Sequence, residues 1–368
     1  MASGNGAARR WALVLGLVAV LAALPFSVGA WPAADDDRSA AVLSAAALAS
    51  VDVAFAGYAE SAGGLALPST DQLGSVADLF SARTTMRVWW RGANDSRLDV
   101  VTAGGETDVY RDDTGSWTWE YEPDRVTRRD AAALGLPTAT DLLPTTLARR
   151  LLSEAQPDEL TRLPADRIAG RDALGLRLVP DDASASVARV DIWIDATSGL
   201  PLEVQIFGAG ATVPALDSRF LDVDLSTPAA ELTRFAPPAG STQQRSDPLG
   251  ALANAARDAP PIALPGTLAG LPRRTVDGAP PGMVLYGRGV TVLAVVPLPG
   301  RVARDLRRGA DADPTAVSNE LWTRIAVGPL GILVVDPPGR STYGLIGTVT
   351  GAALDQAARE LTGFAGPP

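Results

Sequence analysis

Histidine, cysteine and lysine are absent from this chain of 368 residues, and all 32 of its Lys+Arg positions are arginine. Thiolate and imidazole metal sites, a cysteine nucleophile, a Ser-His-Asp triad, a P-loop lysine and a Schiff base are therefore excluded. Carboxylates, arginine, tyrosine and hydroxyls remain. A coding bias toward Ala, Arg and Gly accounts for the missing lysine. It accounts less well for the missing histidine, the side chain best suited to proton transfer near neutral pH. Glu120 and Glu122 share one strand face and could imitate a glycosidase acid pair, although exposed strand carboxylates are the simpler reading. Asp112-Asp113-Thr114-Gly115 is rich in oxygen ligands but lacks calcium-loop spacing, and reads as a turn. Tyr286-Gly287-Arg288-Gly289 precedes a strand, whereas a phosphate loop needs a helix N-terminus there. No catalytic residue, metal site or cofactor follows from these motifs.

A net charge of −10 argues against nucleic-acid binding. The arginine doublets Arg128/Arg129, Arg149/Arg150, Arg273/Arg274 and Arg307/Arg308 are scattered, and read as solvated faces or loop ends. At the N-terminus, Arg9 and Arg10 precede an uncharged run from Trp11 to Ala34 that is most apolar from Ala12 to Leu24. Pro25 and then Val28-Gly29-Ala30 follow, in the order of a cleaved signal peptide. The run is also just long enough for an uncleaved signal anchor. Both readings place the remainder outside the cytoplasm. Without cysteine, such a chain depends on its hydrophobic core rather than on disulfides.

The elements that must position any site follow from periodicity. Ser39 to Ser50 reads as a helix behind an aspartate cap, with Val42, Leu43, Ala46 and Ala47 on one face. Ala54 to Leu67 reads as extended. From Thr84 to Thr127 the period is two, with turns at Gly92-Ala93-Asn94-Asp95, Gly104-Gly105 and Asp112 to Gly115. This predicts an antiparallel meander with one apolar and one polar face. Thr140 to Ala155 reads as a helix, with Pro144 tolerated in its first turn. Strands resume at Arg167–Val179, Ala188–Asp195, Leu202–Phe207 and Arg219–Leu225. Pro237 to Pro265 has linker composition. Beyond it, strands are predicted at Met283–Tyr286, Thr291–Pro297, Leu321–Val327, Ile332–Asp336 and Tyr343–Thr348. Helices are predicted at Arg301–Arg308 and Gly351–Leu361, the latter capped by Thr350.

The segment Ile168-Ala169-Gly170-Arg171-Asp172-Ala173-Leu174-Gly175-Leu176-Arg177-Leu178-Val179-Pro180 carries a family resemblance. So do Val190-Asp191-Ile192-Trp193-Ile194-Asp195, Gly199-Leu200-Pro201-Leu202 and the closing Phe235-Ala236-Pro237-Pro238-Ala239-Gly240. Residues 38 to 240 resemble the LolA/LolB/RseB family of extracytoplasmic lipid- and lipoprotein-binding proteins, particularly its actinobacterial members. The resemblance implies an α+β fold: an incomplete antiparallel β-barrel (half-barrel) wrapped on helices, whose inner face binds acyl chains. The two-unit layout is similar to RseB, whose second domain contacts a membrane-bound anti-sigma factor. Residues 265 to 368 correspond to that domain in position and size.

The expected organisation is a signal peptide or anchor at 1–34, a half-barrel at 35–240, a linker at 241–264 and a smaller C-terminal α+β domain at 265–368. An acyl chain needs an apolar cavity and no titrating group. The inward phases supply Met86, Val88, Trp90, Leu98, Val100, Trp117, Trp119 and Tyr121 as its lining, with Ile192, Ile194, Val204 and Ile206 from the second half. Plain core is the competing reading for each. Trp89 and Trp193 fall on the opposite face beside Arg87, Arg91, Asp191 and Asp195, as rim contacts or cross-strand pairs. The function expected is non-enzymatic binding of a lipid or lipoprotein acyl chain. The alternatives are a regulator that contacts a membrane anti-sigma factor and, third, a carboxylate-dependent hydrolase.

Overall fold

The computed structural model describes residues 11, 13–18, 32–64, 80, 83–102, 105–130, 137–246, 264–276, 279, 282–311, 313, 315–337 and 341–363. The proposed cleavage site at Ala30-Trp31 lies outside them. Residues 13–18 are helical. No helix among the described residues is long and apolar enough to cross a membrane.

Two sheets organise the chain. The first contains β1 (Phe55–Gly63), β2 (Arg83–Gly92), β3 (Asp95–Thr102), β4 (Gly105–Asp112), β5 (Gly115–Glu120) and β6 (Arg125–Asp130). It continues through β7 (Leu160–Ile168), β8 (Arg171–Leu178), β9 (Val187–Asp195), β10 (Pro201–Gly208), β11 (Leu216–Asp224) and β12 (Thr242–Arg245). The order is β12-β6-β5-β4-β3-β2-β1-β11-β10-β9-β8-β7, and the two end strands do not pair with each other. The sheet is therefore an open half-barrel, antiparallel except where β12 runs parallel to β6.

Two helices plug one part of it. α1 (Ala40–Ala49) is capped by Ser39, whose hydroxyl accepts from the Val42 N–H. The cap is thus Ser39 rather than an aspartate. Asp35 and Asp36 instead pair with Arg162 and Arg38. α2 (Pro144–Leu152) carries Pro144 at its start, where the missing N–H costs nothing. Leu43 and Ala47 of α1, and Leu147, Ala148 and Leu152 of α2, share one core with Leu174, Leu176, Ile192, Ile194, Val204 and Phe220 of the sheet. Fully burying each large aliphatic side chain stabilises the fold by roughly 1.5–3 kcal/mol. Val42, predicted for the buried face of α1, is half exposed.

The second sheet has the order β13-β14-β15-β16-β20-β19-β18-β17. Its strands are β13 (Thr267–Leu268), β14 (Leu271–Arg274), β15 (Val284–Arg288), β16 (Thr291–Pro297), β17 (Val317–Ser318), β18 (Trp322–Val327), β19 (Leu330–Val335) and β20 (Tyr343–Gly347). A short helix, α3 (Ala230–Thr233), precedes this unit, and α4 (Gly300–Asp311) and α5 (Gly351–Gly363) belong to it. Thr350 caps α5 as expected, its hydroxyl accepting from the Ala353 N–H at 3.3 Å.

Three short strands of the second sheet, β13, β14 and β17, carry too few residues for a period. β7 also escapes the pattern, because Pro164 sits within it where the register with β8 shifts between Leu163 and Asp166. β12 begins the stretch read as linker and pairs with β6 through Thr242 to Arg245.

The units are docked. Glu154, just after α2, pairs with Arg274 and accepts from the Gly289 N–H at 2.6 Å. Arg288 grips both oxygens of Glu159 at 2.9 and 3.1 Å. The turn at Gly287 and Gly289, both left-handed, is what brings Arg288 and the Gly289 N–H to that contact. The Thr350 N–H donates to the Ser184 carbonyl at 2.7 Å, and Val290 enters the core of the first unit. A cavity of about 130 Å³ lies at this junction, lined by Leu151, Glu159, Leu178, Asp181, Arg288 and Val290 among others.

Candidate ligand-binding face

Strand register assigns every side chain of the meander to a face. Three rows cross from β2 to β6 on the helix-packed side. The first is Met86, Val100, Thr107, Glu120 and Arg125; the second is Val88, Leu98, Val109, Thr118 and Thr127. The third is Trp90, Ser96, Arg111, Ser116 and Arg129. Met86, Val88, Trp90 and Leu98 are buried, and Val100 packs against the same core half-buried. The Trp90 ring stacks on Phe55 at 6.0 Å, and its indole N–H donates to the Val51 carbonyl at 3.2 Å.

On the other wall, Ile192, Ile194 and Val204 are fully buried, and Ile206 packs half-buried. Along the rows the character changes. On β4 to β6 the helix-packed side is half-buried throughout, and its residues are mostly Thr, Ser and Arg. The apolar lining is therefore continuous on β1–β3 and β8–β11 and stops there.

The structure corrects the phase of β5. Trp117 stands opposite Tyr110 and Arg128, and Trp119 opposite Asp108 and Val126, all on the outer side. Tyr121 follows the strand end, 63% exposed, with its ring 5.4 Å from Trp119. Phe235 lies over this outer face, 4.7 Å from Tyr110 and 5.5 Å from Trp117. The three aromatics thus do not line the helix-packed face with Met86, Val88 and Trp90.

The outer face is a net of arginine–carboxylate pairs. Trp89 pairs across the strands with Arg97, whose guanidinium sits 5.0 Å above its ring. Arg97 also bonds both oxygens of Asp99 and reaches Asp108 at 2.9 Å. Asp99 and Asp108 face each other directly across β3 and β4, both buried. Burial, followed by the charge of Asp99, pushes the Asp108 carboxyl up to about 7 against the pull of Arg97. Asp99, Glu106 and Asp108 bring carboxylate oxygens within 4.8 Å of one another. Arg97 and Arg87 already bond this trio, so it reads as a charge network rather than a cation site.

A second strained carboxyl lies on β10: burial and then Asp217 push Glu203 up to about 7. The neighbouring pairs Arg177–Asp191 and Arg171–Asp195 are well made, at 2.6 Å each. Burial works against the Asp195 carboxylate, but Arg171 and the Ser198 donors outweigh it and hold its pKa low.

The other motifs resolve into structure. Glu120 accepts from Nε and Nη2 of Arg125, each at 2.6 Å, and Glu122 accepts from the Glu106 N–H. Asp112 caps its own turn through the Thr114 N–H and hydroxyl.

An open antiparallel sheet closes on two internal helices and carries a smaller sheet-and-helix unit behind it. This is the layout expected of an incomplete antiparallel half-barrel wrapped on helices with a smaller C-terminal α+β unit. The chain matches no family model and no curated protein sequence. Among solved structures it is similar to the MucA/MucB complex of Pseudomonas aeruginosa, with TM-score 0.49 and 17% identity over 86% of this chain and 97% of that one. It is similar to MucB alone at TM-score 0.46 and 17% identity, covering 87% and 96% of the two chains. A LolA superfamily protein of Nitrosomonas europaea aligns at TM-score 0.27 and 12% identity, covering 54% of this chain and 99% of that one.

Sequence reasoning missed Arg111, Arg129 and Arg149. Arg149 reaches from α2 to place its guanidinium 5.6 Å from the Trp90 ring. Two of these residues belong to doublets read as solvated, Arg128/Arg129 and Arg149/Arg150. The signal available was that one member of each doublet shares the phase of the buried face.

Proposed function

We propose that this chain is a non-enzymatic, extracytoplasmic binding protein for a lipid or lipoprotein, which it holds by the acyl chain against the helix-packed face of the half-barrel. The observation that carries the reading is the step in that face. A wall of Met86, Val88, Trp90 and Leu98 runs into a half-buried stretch at Val100 and Val109 that α1 and α2 do not seal. An acyl chain lying there gains burial in proportion to the apolar area it covers, with no titrating group required. The N-terminal arginines and apolar run favour export, and the chain contains no cysteine that an oxidising compartment would pair.

Native mass spectrometry of the full chain, purified from membranes and then offered lipoprotein, tests the reading. Lipid retained through gentle ionisation is the expected result. A chain that never carries lipid and ignores added lipoprotein overturns it.

A second reading, a regulator, is favoured by the junction between the units. Glu154 and Glu159 flank the end of α2, which plugs the half-barrel, and both are gripped by the second unit. A ligand that displaces α2 would pull on that junction. The partner of the second unit would be a membrane protein such as an anti-sigma factor. In-cell crosslinking from the second unit is expected to recover it, and loss of the crosslink on adding lipid would tie the two roles together.

A further inference from the structure

From the helix-packed face we infer that Arg111 and Arg129 form a binding site for the phosphate head group of an anionic phospholipid. The inference rests on the lipid-binding reading above and names its ligand class.

Arg111 and Arg129 lie in one row on alternate strands, both facing Ser116 across the register of β4, β5 and β6. The same row continues through Ser96 to Trp90, two strands beyond Arg111, where Arg149 is held over the indole ring. Arg111 and Arg129 are both half-buried. Among the described residues the side chains of Arg111 and Arg129 make no ion pair or hydrogen bond. Arg149 has one hydrogen bond, to the Ser50 hydroxyl at 3.4 Å.

The nearest carboxylates are committed or absent from contact. Asp141 accepts from the Thr138 N–H and hydroxyl in a capping box and lies 3.9 Å from Arg150. Asp52 acts on Arg149 through its charge, without a bond. Burial depresses the Arg129 pKa, with Asp141 opposing and Arg111 adding repulsion. Burial likewise brings Arg149 down to about 10.

The contrast with the outer face is what gives this cluster its meaning. There Arg87, Arg97, Arg128, Arg171 and Arg177 each meet a carboxylate. The chain has 42 carboxylates for its 32 arginines, so partners are plentiful. Two cations on one half-buried face with no carboxylate bonded to either destabilise the free protein, because each has given up water without a contacting anion in return. An incoming anion with several acceptor oxygens removes that cost and gains charge-assisted hydrogen bonds.

A phosphodiester on an acyl anchor fits the surroundings. The row Val88-Leu98-Val109 is two residues away along each strand, about 7 Å at the usual rise. Acyl carbons on that row would leave the phosphate among the arginines, while Ser96 and Ser116 offer hydroxyls to its remaining oxygens.

The test uses the full chain and vesicles of phosphatidylglycerol or of phosphatidylcholine, with lipid uptake read by native mass spectrometry. Phosphatidylglycerol is expected to bind at least tenfold more tightly, and the preference is expected to shrink in high salt. Arg111→Gln and Arg129→Gln should each reduce phosphatidylglycerol uptake about tenfold, the loss of one charge-assisted bond, and reduce uptake of phosphatidylcholine, whose phosphodiester carries a compensating choline, by less. The same substitutions should raise the melting temperature of the lipid-free protein, a readout that a merely structural arginine would move the other way. Equal uptake of both lipids, with all variants like wild type, overturns the head-group site while leaving lipid binding intact. Uptake of neither lipid overturns both. Saturation of the preference by 10 mM inorganic phosphate alone would overturn the assignment to a lipid.

Discussion

The two halves of the half-barrel's inner face are built from the same strand geometry and do opposite things. On β1, β2 and β8–β11 the strands close on α1 and α2, and Leu174, Leu176, Ile192 and Val204 are fully buried. On β4–β6 the same face is half-buried, and Arg111 and Arg129 lie there with no carboxylate bonded to them among the described residues. The plugged half carries stability. The unplugged half holds uncompensated charge, which a fold tolerates when a ligand is there to use it.

The largest effect that sharpens this comparison is in the plugged half. Leu176→Ala should cost about 2–5 kcal/mol in urea unfolding, as cavity formation in a tightly packed core does. Val109→Ala, on the unplugged half, should cost well under half as much. Equal losses would break the comparison.

Next in size is Asp195→Ala. It strands Arg171 and removes the acceptor for the Thr197 and Ser198 N–H groups, so about 3 kcal/mol of stability is expected to go. A melting temperature near wild type would show the outer net to be dispensable.

The third test is a pH profile. Asp108 and Glu203 have folded pKa values raised to about 7. Their contribution to stability is therefore full below the unfolded carboxyl pKa and is lost as pH rises through about 7. Glu154, Glu159 and Asp195 are held low, so theirs is lost as pH falls through their depressed values. Maximum stability should sit on the acid side of neutrality. Asp108→Asn together with Glu203→Gln should flatten the fall between pH 5 and 8. With no histidine in the chain, little else titrates there. An unchanged profile in the double variant would overturn the assignment.

The smallest effect belongs to the junction. Glu154→Gln with Glu159→Gln should cost about 1 kcal/mol or less per pair, since the arginine of each pair is partly exposed. The expected sign is earlier hydrogen exchange around Thr350 and Gly289, with the cores of both units still protected.

Much of this architecture was legible locally. Alternation in Met86-Arg87-Val88-Trp89-Trp90 is a property of one strand, and it placed those residues on the faces they occupy. The same rule failed on β5, because a period of two says that two faces differ and not which is inside. Trp117 and Trp119 are as apolar as Trp90, but register sets them beside Tyr110 and Asp108 on the outer face, where Phe235 covers Trp117. β7 was invisible because its Pro164 and shifted register break alternation. The pair Arg111 and Arg129 was invisible for a different reason: its members lie on separate strands, and nothing local distinguishes an unpaired arginine from a solvated one.

Taken alone, the sequence determined the catalytic repertoire that is missing and the order of the longer, regularly alternating strands and of the helices. These depend on residue type and on periods of two and 3.6, which are short-range. Only the tertiary structure decided where the helices stop covering the sheet, which aromatics face outward and which charges are left without a partner. Those outcomes depend on register between strands and on how far two helices reach, and such distances exist only once the chain has closed on itself.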